Sequence, residues 1–355
     1  MDSKLVVTAF GEILERDTVY NAKSLKDIDF NETNYEKSFG GTEANTLIAL
    51  SNLGVDTRYI TAVPKNSSGE SALSFLNSMN VDTSYIKFYG DKLGKYYVLP
   101  EVLNRDGGTL FDRDGSSVTK INADEFDFDK VFENAGIFQI SGVAFSLKNN
   151  MTKNAFKFLE EAKKRNIVRS FDFNYRPGLW NNDIQSAKKM FKKVMPYTDI
   201  IFVSDLDLKT FLDCKGNSTK ELVDDFYKKY NTAYVVVRNR KNLTNSLSRV
   251  TAGIYTKNGG YQMKTPRYFE IKEKIGGGDT FDAGILYGIL NNMSLENIID
   301  YGITCFVLKH QIKGDIFLCD KQTVEKNLHF VQSKDDPLVK LGHKLENQED
   351  LEIEK

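Results

Sequence analysis

The chain has 355 residues, 41% hydrophobic and 27% charged, which is enough apolar material for one large α/β domain or two smaller ones. Lys and Arg number 48 against 49 Asp and Glu, a formal net charge of -1, and the missing basic surplus argues against nucleic acid as the main partner. No apolar run approaches the ~18 residues of a membrane span. The opening Met1-Asp2-Ser3-Lys4, then Leu5-Val6-Val7, shows no signal-peptide pattern, so a cytoplasmic protein is expected.

In chain order, Leu5–Phe10 is β-rich and closed by Gly11, and reads as a first strand. After Gly40-Gly41 a helix is expected over Glu43–Leu53, with Leu47, Ile48 and Leu50 on its apolar stripe and Gly54 as its stop. A strand follows near Arg58–Val63. Residues 85–121 are different: Tyr85–Tyr89, Lys95–Leu99 and Thr109–Phe111 are short, aromatic and broken by Gly90, Gly94, Gly107 and Gly108. They read as a small antiparallel β element, to which residues 13–38 contribute.

From residue 137 onward strands and helices alternate. Strands are expected at Ile137–Ile140, Ile167–Phe173, Ile200–Val203 and Tyr234–Val237, and helices at Thr152–Arg165, Ile184–Val194 and Thr219–Tyr230. This order predicts an α/β fold with a mostly parallel central sheet and helices on both faces. Ligands in such sheets sit beyond the carboxyl ends of the strands. Residues 333–355 read as a charged tail or surface helix after a domain spanning 1–332. Cys214, Cys305 and Cys319 form no CxxC pair, which fits a reduced compartment. With only three histidines (His310, His329 and His343) no protein-held metal site is expected.

The strongest local feature is Gly276-Gly277-Gly278-Asp279-Thr280-Phe281-Asp282-Ala283-Gly284, followed by apolar residues at helical spacing. Three glycines leave backbone amides uncovered where a helix begins, which makes an anion site. An ordinary glycine turn with Asp279 as N-cap accounts for the motif equally well. No GxxxxGK[ST] occurs, so it is not a Walker A loop. The second feature is Gly40-Gly41-Thr42-Glu43-Ala44-Asn45. It allows close approach of a ligand, although alone it reads better as a strand-to-helix turn.

Taken together, Gly-Gly-x-x-Ala-Asn early and Gly-x-Gly-Asp-x-Phe-x-Ala-Gly late resemble the two signatures of ribokinase or phosphofructokinase-B-type carbohydrate kinases. The resemblance covers roughly residues 5–330. Phe10-Gly11-Glu12, Phe111-Asp112-Arg113, Phe171–Trp180 and Leu308–Asp315 are similar to the 2-keto-3-deoxygluconate kinase branch. The resemblance implies a ribokinase-like fold in which the small β element (about 13–38 and 85–121) is a lid, and a homodimer joined through it. It implies ATP-dependent phosphorylation of a sugar acid's primary hydroxyl, most simply 2-keto-3-deoxygluconate, with Mg²⁺ carried on the nucleotide phosphates.

Under that resemblance Asp279 is the base, and the amides of Gly276, Gly277 and Gly278 hold the transferring phosphoryl. Gly40, Gly41, Asn45 and Tyr96 hold the sugar, with Arg176 and Arg113 on its carboxylate; simple pairing of Arg176 with Asp172 and Arg113 with Asp112 is the plainer alternative. Ser204, Asp205, Arg238 and Arg240 face the nucleotide. Relatives usually carry Asn and Glu at the first two of these positions and Thr and Gly near the arginines; Glu273 stands where an Asp is expected. A fructokinase or other ketose kinase, which needs hydroxyl contacts and no carboxylate clamp, remains the nearest alternative, and these departures leave open a non-catalytic sugar or nucleotide binder of the same fold. A Rossmann dehydrogenase is a poor third, since no GxGxxG follows Gly11-Glu12.

Overall fold

The computed structural model describes residues 5–29, 35–101, 107–147, 150–330 and 332–353. It divides into two compact units. The first comprises Met1–Ser51 with Val55–Arg169, the second Asn52–Gly54 with Ser170–Lys355.

The first unit starts with β1 (Val6–Phe10), β2 (Leu14–Thr18), β3 (Glu36–Gly40), β4 (Thr57–Val63), β5 (Ile86–Phe88), β6 (Gly94–Leu99), β7 (Gly108–Asp112) and β8 (Ala135–Ser141). Strands β8, β1, β4 and β5 lie side by side and all parallel. Helices Thr42–Asn52, Ser67–Ser78 and Met151–Lys164 supply the long connections that parallel pairing demands. In β1 every residue from Val7 to Phe10 is buried, Thr8 included, as in a strand covered on both faces.

A second sheet runs β3-β2-β6-β7. It differs from the sequence expectation in two ways. Tyr85–Tyr89 does not belong to it, because β5 pairs with β4, Thr61 opposite Ile86. The sheet is also not wholly antiparallel, since β2 and β6 run parallel, Leu14 opposite Gly94. Both errors concern which distant strand is the neighbour, and short aromatic runs carry no information on that. The lid expected over 13–38 and 85–121 includes 30–34 and 102–106, which lie outside the described residues.

The second unit holds β9 (Val168–Asp172) from Ser170 onward, β10 (Ile200–Val203), β11 (Tyr234–Asn242), β12 (Leu247–Thr256), β13 (Gly259–Gln262) and β14 (Arg267–Glu270). Strands β9, β10 and β11 are parallel; β12 returns antiparallel along β11, and β13 and β14 both pair with β12. The expected strand Tyr234–Val237 is the buried half of a longer one. Beyond it Arg238 to Asn242 continue in a hairpin ladder, which polar side chains masked in the sequence. Helix Gly277–Leu290 packs on Leu295–His310, where Gly284 lies against Gly302 and leaves no room for a Cβ. Residues Pro337–Ile353 form a helix. The Tyr268 hydroxyl donates to Glu346 of that helix at 2.8 Å.

Candidate active site

In the second unit the Gly276–Asp279 turn opens the helix Gly277–Leu290. Gly276 is the N-cap at φ +83°, a left-handed conformation in which a Cβ would also stand 2.1 Å from the Asp315 carbonyl oxygen. A Cβ on Gly277 would stand 2.2 Å from His310 Cε1. Glycine is therefore dictated here by neighbours as well as by the turn. Asp279 follows in the first helical turn and is buried, 7% exposed.

Cations surround this turn. Arg238, at the end of the buried half of β11, places Nη2 3.1 Å from where a Gly278 Cβ would be. Its guanidinium lies over the rings of Phe281 and Phe306 at 5.0 and 4.9 Å, so two aromatic faces fix a charge that would otherwise swing. Arg240 Nη1 is 3.1 Å from His310 Nε2. His310 Nδ1 is 2.7 Å from the Phe306 carbonyl oxygen, so Nδ1 carries the proton and Nε2 accepts from Arg240. Burial, reinforced by Arg240, Lys309 and Arg238, lowers the His310 pKa to about 3. The histidine thus stays neutral amid three cations.

Behind Arg238 lie three carboxylates. Asp172 ends β9, Asp207 sits in the first turn of helix Asp205–Leu212, and Asp282 is one turn after Asp279. Burial raises Asp172 above the ordinary carboxylate range, against the pull of Arg238 and Arg176. It raises Asp207 too, against the hydrogen bonds from Ser204. Asp282 is held well above that range, by burial first and then by the neighbouring Asp172. Burial and a nearby like charge both favour the protonated form of a carboxyl. Asp282 stood in the glycine motif and Asp172 beside Arg176 in the sequence, but nothing in the sequence paired them.

Other expected nucleotide contacts serve local structure. Ser204 caps its own helix: its hydroxyl and amide both donate to Asp207, at 2.7 and 2.8 Å, and its oxygen accepts the Asp207 amide at 3.1 Å. The Asp205 amide donates to Asn239 and its carboxylate accepts from Thr219, both at 2.9 Å. Arg176 is exposed, with Nη1 3.2 Å from the Tyr175 carbonyl. The Asp172 carboxylate meanwhile accepts the Asn174 amide and side chain, each at 3.0 Å.

In the first unit Gly40 ends β3 and Gly41 takes φ +148°, where a Cβ would stand 2.2 Å from the Glu12 carbonyl oxygen. Asn45 is buried in the helix Thr42–Asn52, its amide donating to Gly41 at 2.8 Å. Tyr96 is buried on β6 and stacks on Phe111 at 5.6 Å. Arg113 pairs with Glu12, not with the adjacent Asp112: Nη1 is 2.7 Å from Glu12 Oε1, and the guanidinium lies 3.8 Å from the centre of the Phe111 ring. Asp112 takes Lys92 instead. Burial raises the Glu12 pKa, and Arg113 opposes the shift. Glu43 accepts the Ser141 amide at 2.9 Å and fills the space a Cβ on Gly11 would need. Glu12 had been quoted only as part of a strand-end motif.

Comparison with known proteins gives this arrangement its class. Residues 4–321 match the model of the pfkB family carbohydrate kinases, and the chain belongs to that family. A 2-dehydro-3-deoxygalactonokinase of Haloferax volcanii is 25% identical over 293 residues, covering 81% of this chain and 86% of that one. A 5-dehydro-2-deoxygluconokinase of Clostridium botulinum is 28% identical over 326 residues, covering 86% and 91%. The crystal structure of a PfkB family carbohydrate kinase from Listeria grayi superposes with a TM-score of 0.82 at 27% identity, covering 90% of this chain and 98% of that one. The protein is an ATP-dependent carbohydrate kinase with a ribokinase-like α/β fold, a large mostly parallel sheet with helices. Among the described residues no helix is long and apolar enough to cross a membrane, and no group of three His, Cys, Asp or Glu is placed to hold a metal ion.

Proposed function

We propose that the protein phosphorylates the primary hydroxyl of a keto-deoxy sugar acid, 2-keto-3-deoxygluconate giving its 6-phosphate. The observation that carries the chemistry is Arg238 beside the Gly276–Asp279 turn, with Arg240 held next to it by a neutral His310. Bare helix N-termini are common, whereas two arginines gathered at one are suited to a polyphosphate. Asp279 takes the hydroxyl proton as the sugar oxygen bonds to the γ-phosphorus of Mg-ATP. The bond to the bridging oxygen breaks, and ADP leaves with its electron pair. General-base help of this kind is worth ~10²–10⁴-fold. The amides of Gly276, Gly277 and Gly278 hold the charge that builds on the phosphoryl oxygens, and Arg238 stands beside them.

For the acceptor, the reading assigns Gly40, Gly41, Asn45 and Tyr96 to the sugar hydroxyls, and Arg176 with Arg113 to the carboxylate. The two kinases named above support a sugar acid, since both act by name on keto-deoxy aldonic acids. One observation favours a neutral ketose: Glu12 already pairs Arg113. The deciding assay is ADP release with Mg-ATP on 2-keto-3-deoxygluconate and fructose side by side, with Asp279→Asn as blank. The expected result is turnover on the acid well above fructose, and a blank that binds Mg-ATP but does not turn over. Turnover on fructose alone removes Arg176 from the site, and turnover by Asp279→Asn removes the base.

A homodimer joined through the four-stranded sheet belongs to the same reading, and Leu110 and Phe111 are exposed on that sheet. Light scattering that finds only monomer at micromolar protein rules it out.

A further inference from the structure

Lys309 is fully buried near the end of the helix Leu295–His310. A buried ammonium loses hydration at a cost of several kcal/mol, which only oxygen ligands offset. Its Nζ donates to the carbonyls of Ile312 at 3.1 Å and Gly314 at 2.6 Å. The chain after the helix thus curls around the ammonium, with Gly314 at φ +81°. That curl is a wall of the phosphate turn. A Cβ on Gly276 would lie 2.1 Å from the Asp315 carbonyl oxygen and 3.0 Å from Lys309 Cε.

Glu273 holds the same curl from the other side. Its carboxylate accepts the amides of Lys274 and Ile275, at 2.9 and 3.2 Å, and that of Gly314 at 3.2 Å. The amide of Gly314 is therefore tied to the segment leading into the glycine turn, and its carbonyl to Lys309. The extra methylene of Glu273 over an aspartate gives it the reach to bridge the two segments. One half-buried anion and one buried cation hold both flanks of Gly276.

We propose that Lys309 is a positioning residue for phosphoryl transfer. Its ammonium is a built-in cation that fills a nest of carbonyls, as a small monovalent ion would, and keeps the Gly276–Gly278 amides aimed at the phosphoryl group. The proposal rests on the kinase reading in taking that turn as the phosphate site. A lysine that merely caps its helix would affect stability and leave the rate per folded molecule alone. Holding the amides in place affects kcat, because a misaimed donor loses the transition-state charge.

The test uses Lys309→Ala, which vacates the nest, and Lys309→Met, which fills it without charge. Each is assayed beside the wild type in choline, potassium and ammonium chloride. The wild type is expected to be indifferent to the cation. Lys309→Ala is expected to lose about tenfold or more in kcat with the sugar KM unchanged, and to recover in ammonium or potassium. Lys309→Met is expected to be folded, equally slow and unresponsive to either ion. Wild-type stimulation by potassium overturns the proposal without any variant having to fold. So does a Lys309→Ala rate that is normal, or one that is low and not restored. If the wild type turns over neither sugar, the substrate reading has failed. The cation dependence is then read in Mg-ATP binding by calorimetry, where an affinity of Lys309→Ala that ammonium does not change overturns the proposal.

Discussion

In the first unit one buried cation meets one buried anion, Arg113 on Glu12 at 2.7 Å, and the ring of Phe111 covers the guanidinium. In the second, Arg238 faces three carboxylates, and Asp172, Asp207 and Asp282 are all raised by burial. The first sets one cation directly on one anion, although burial raises Glu12 too. The second gathers three carboxylates that burial raises around Arg238, with Arg176 acting on Asp172 as well, and raised carboxyls favour the protonated form. A matched pair is sensitive to deletion of a partner; an over-acidic cluster is sensitive to pH.

The largest effect is expected at the matched pair. Glu12→Gln leaves the Arg113 guanidinium buried without its counter-charge, and loss of one partner of such a pair costs about 3–5 kcal/mol. Thermal or urea unfolding reads this directly. Glu12→Gln combined with Arg113→Met removes both charges and should recover most of the loss. If Glu12→Gln alone is nearly neutral, the pair is hydrated in solution and the comparison fails on the first unit's side.

How far the two regions could be read in the sequence follows the same division. The glycine turn was legible because it is local: Gly276, Gly277, Gly278 and Asp279 are consecutive, and the helix they open declares itself by apolar spacing. The alternating strands and helices after residue 137 were legible for the same reason, and Ile184–Val194 and Ile200–Val203 are found at their expected bounds. The partners of Arg113, Arg238 and Asp282 were not legible. Glu12 and Arg113 are about a hundred residues apart, and the adjacent Asp112 was the plainer partner until β6 and β7 were set beside β2. In the sequence Lys309 stands out only within Leu308–Asp315, and His310 only there and as one of three histidines. A helix end rich in basic residues is commonplace, and burial is what singles Lys309 out.

A smaller effect is expected when the second unit is acidified. His310 has a folded pKa of about 3, below the ordinary value of about 6.5. A depressed histidine favours folding above its unfolded pKa, and this contribution is lost as pH falls from about 6.5 toward 3. The slope for a single group reaches about 1.4 kcal/mol per pH unit. His310→Gln keeps an N–H for Phe306 and an oxygen for Arg240 but cannot take up a proton. Unfolding followed from pH 7 to 4.5 should show the wild type losing ground to this variant. Parallel curves would mean that the histidine is already open to water.

The smallest effect is expected at Asp282, and its sign is the sharpest check on the comparison. If the Asp172–Asp282 pair holds a proton, Asp282→Asn exchanges a protonated carboxyl for an amide of nearly the same shape that still donates. The cost near neutral pH should then stay within about 1 kcal/mol, the scale of one hydrogen bond. The pH dependence runs opposite to that of His310. A carboxyl raised on folding binds its proton more tightly folded than unfolded, so its contribution is full below the unfolded value near 3.9 and is lost as pH rises through the folded one. The wild type should therefore weaken relative to Asp282→Asn as pH climbs from 5 to 8. A variant several kcal/mol less stable at every pH in that range would instead require Asp282 to be ionised beside Arg238. The second unit would then be a matched charge cluster like the first, and the contrast between the two would disappear.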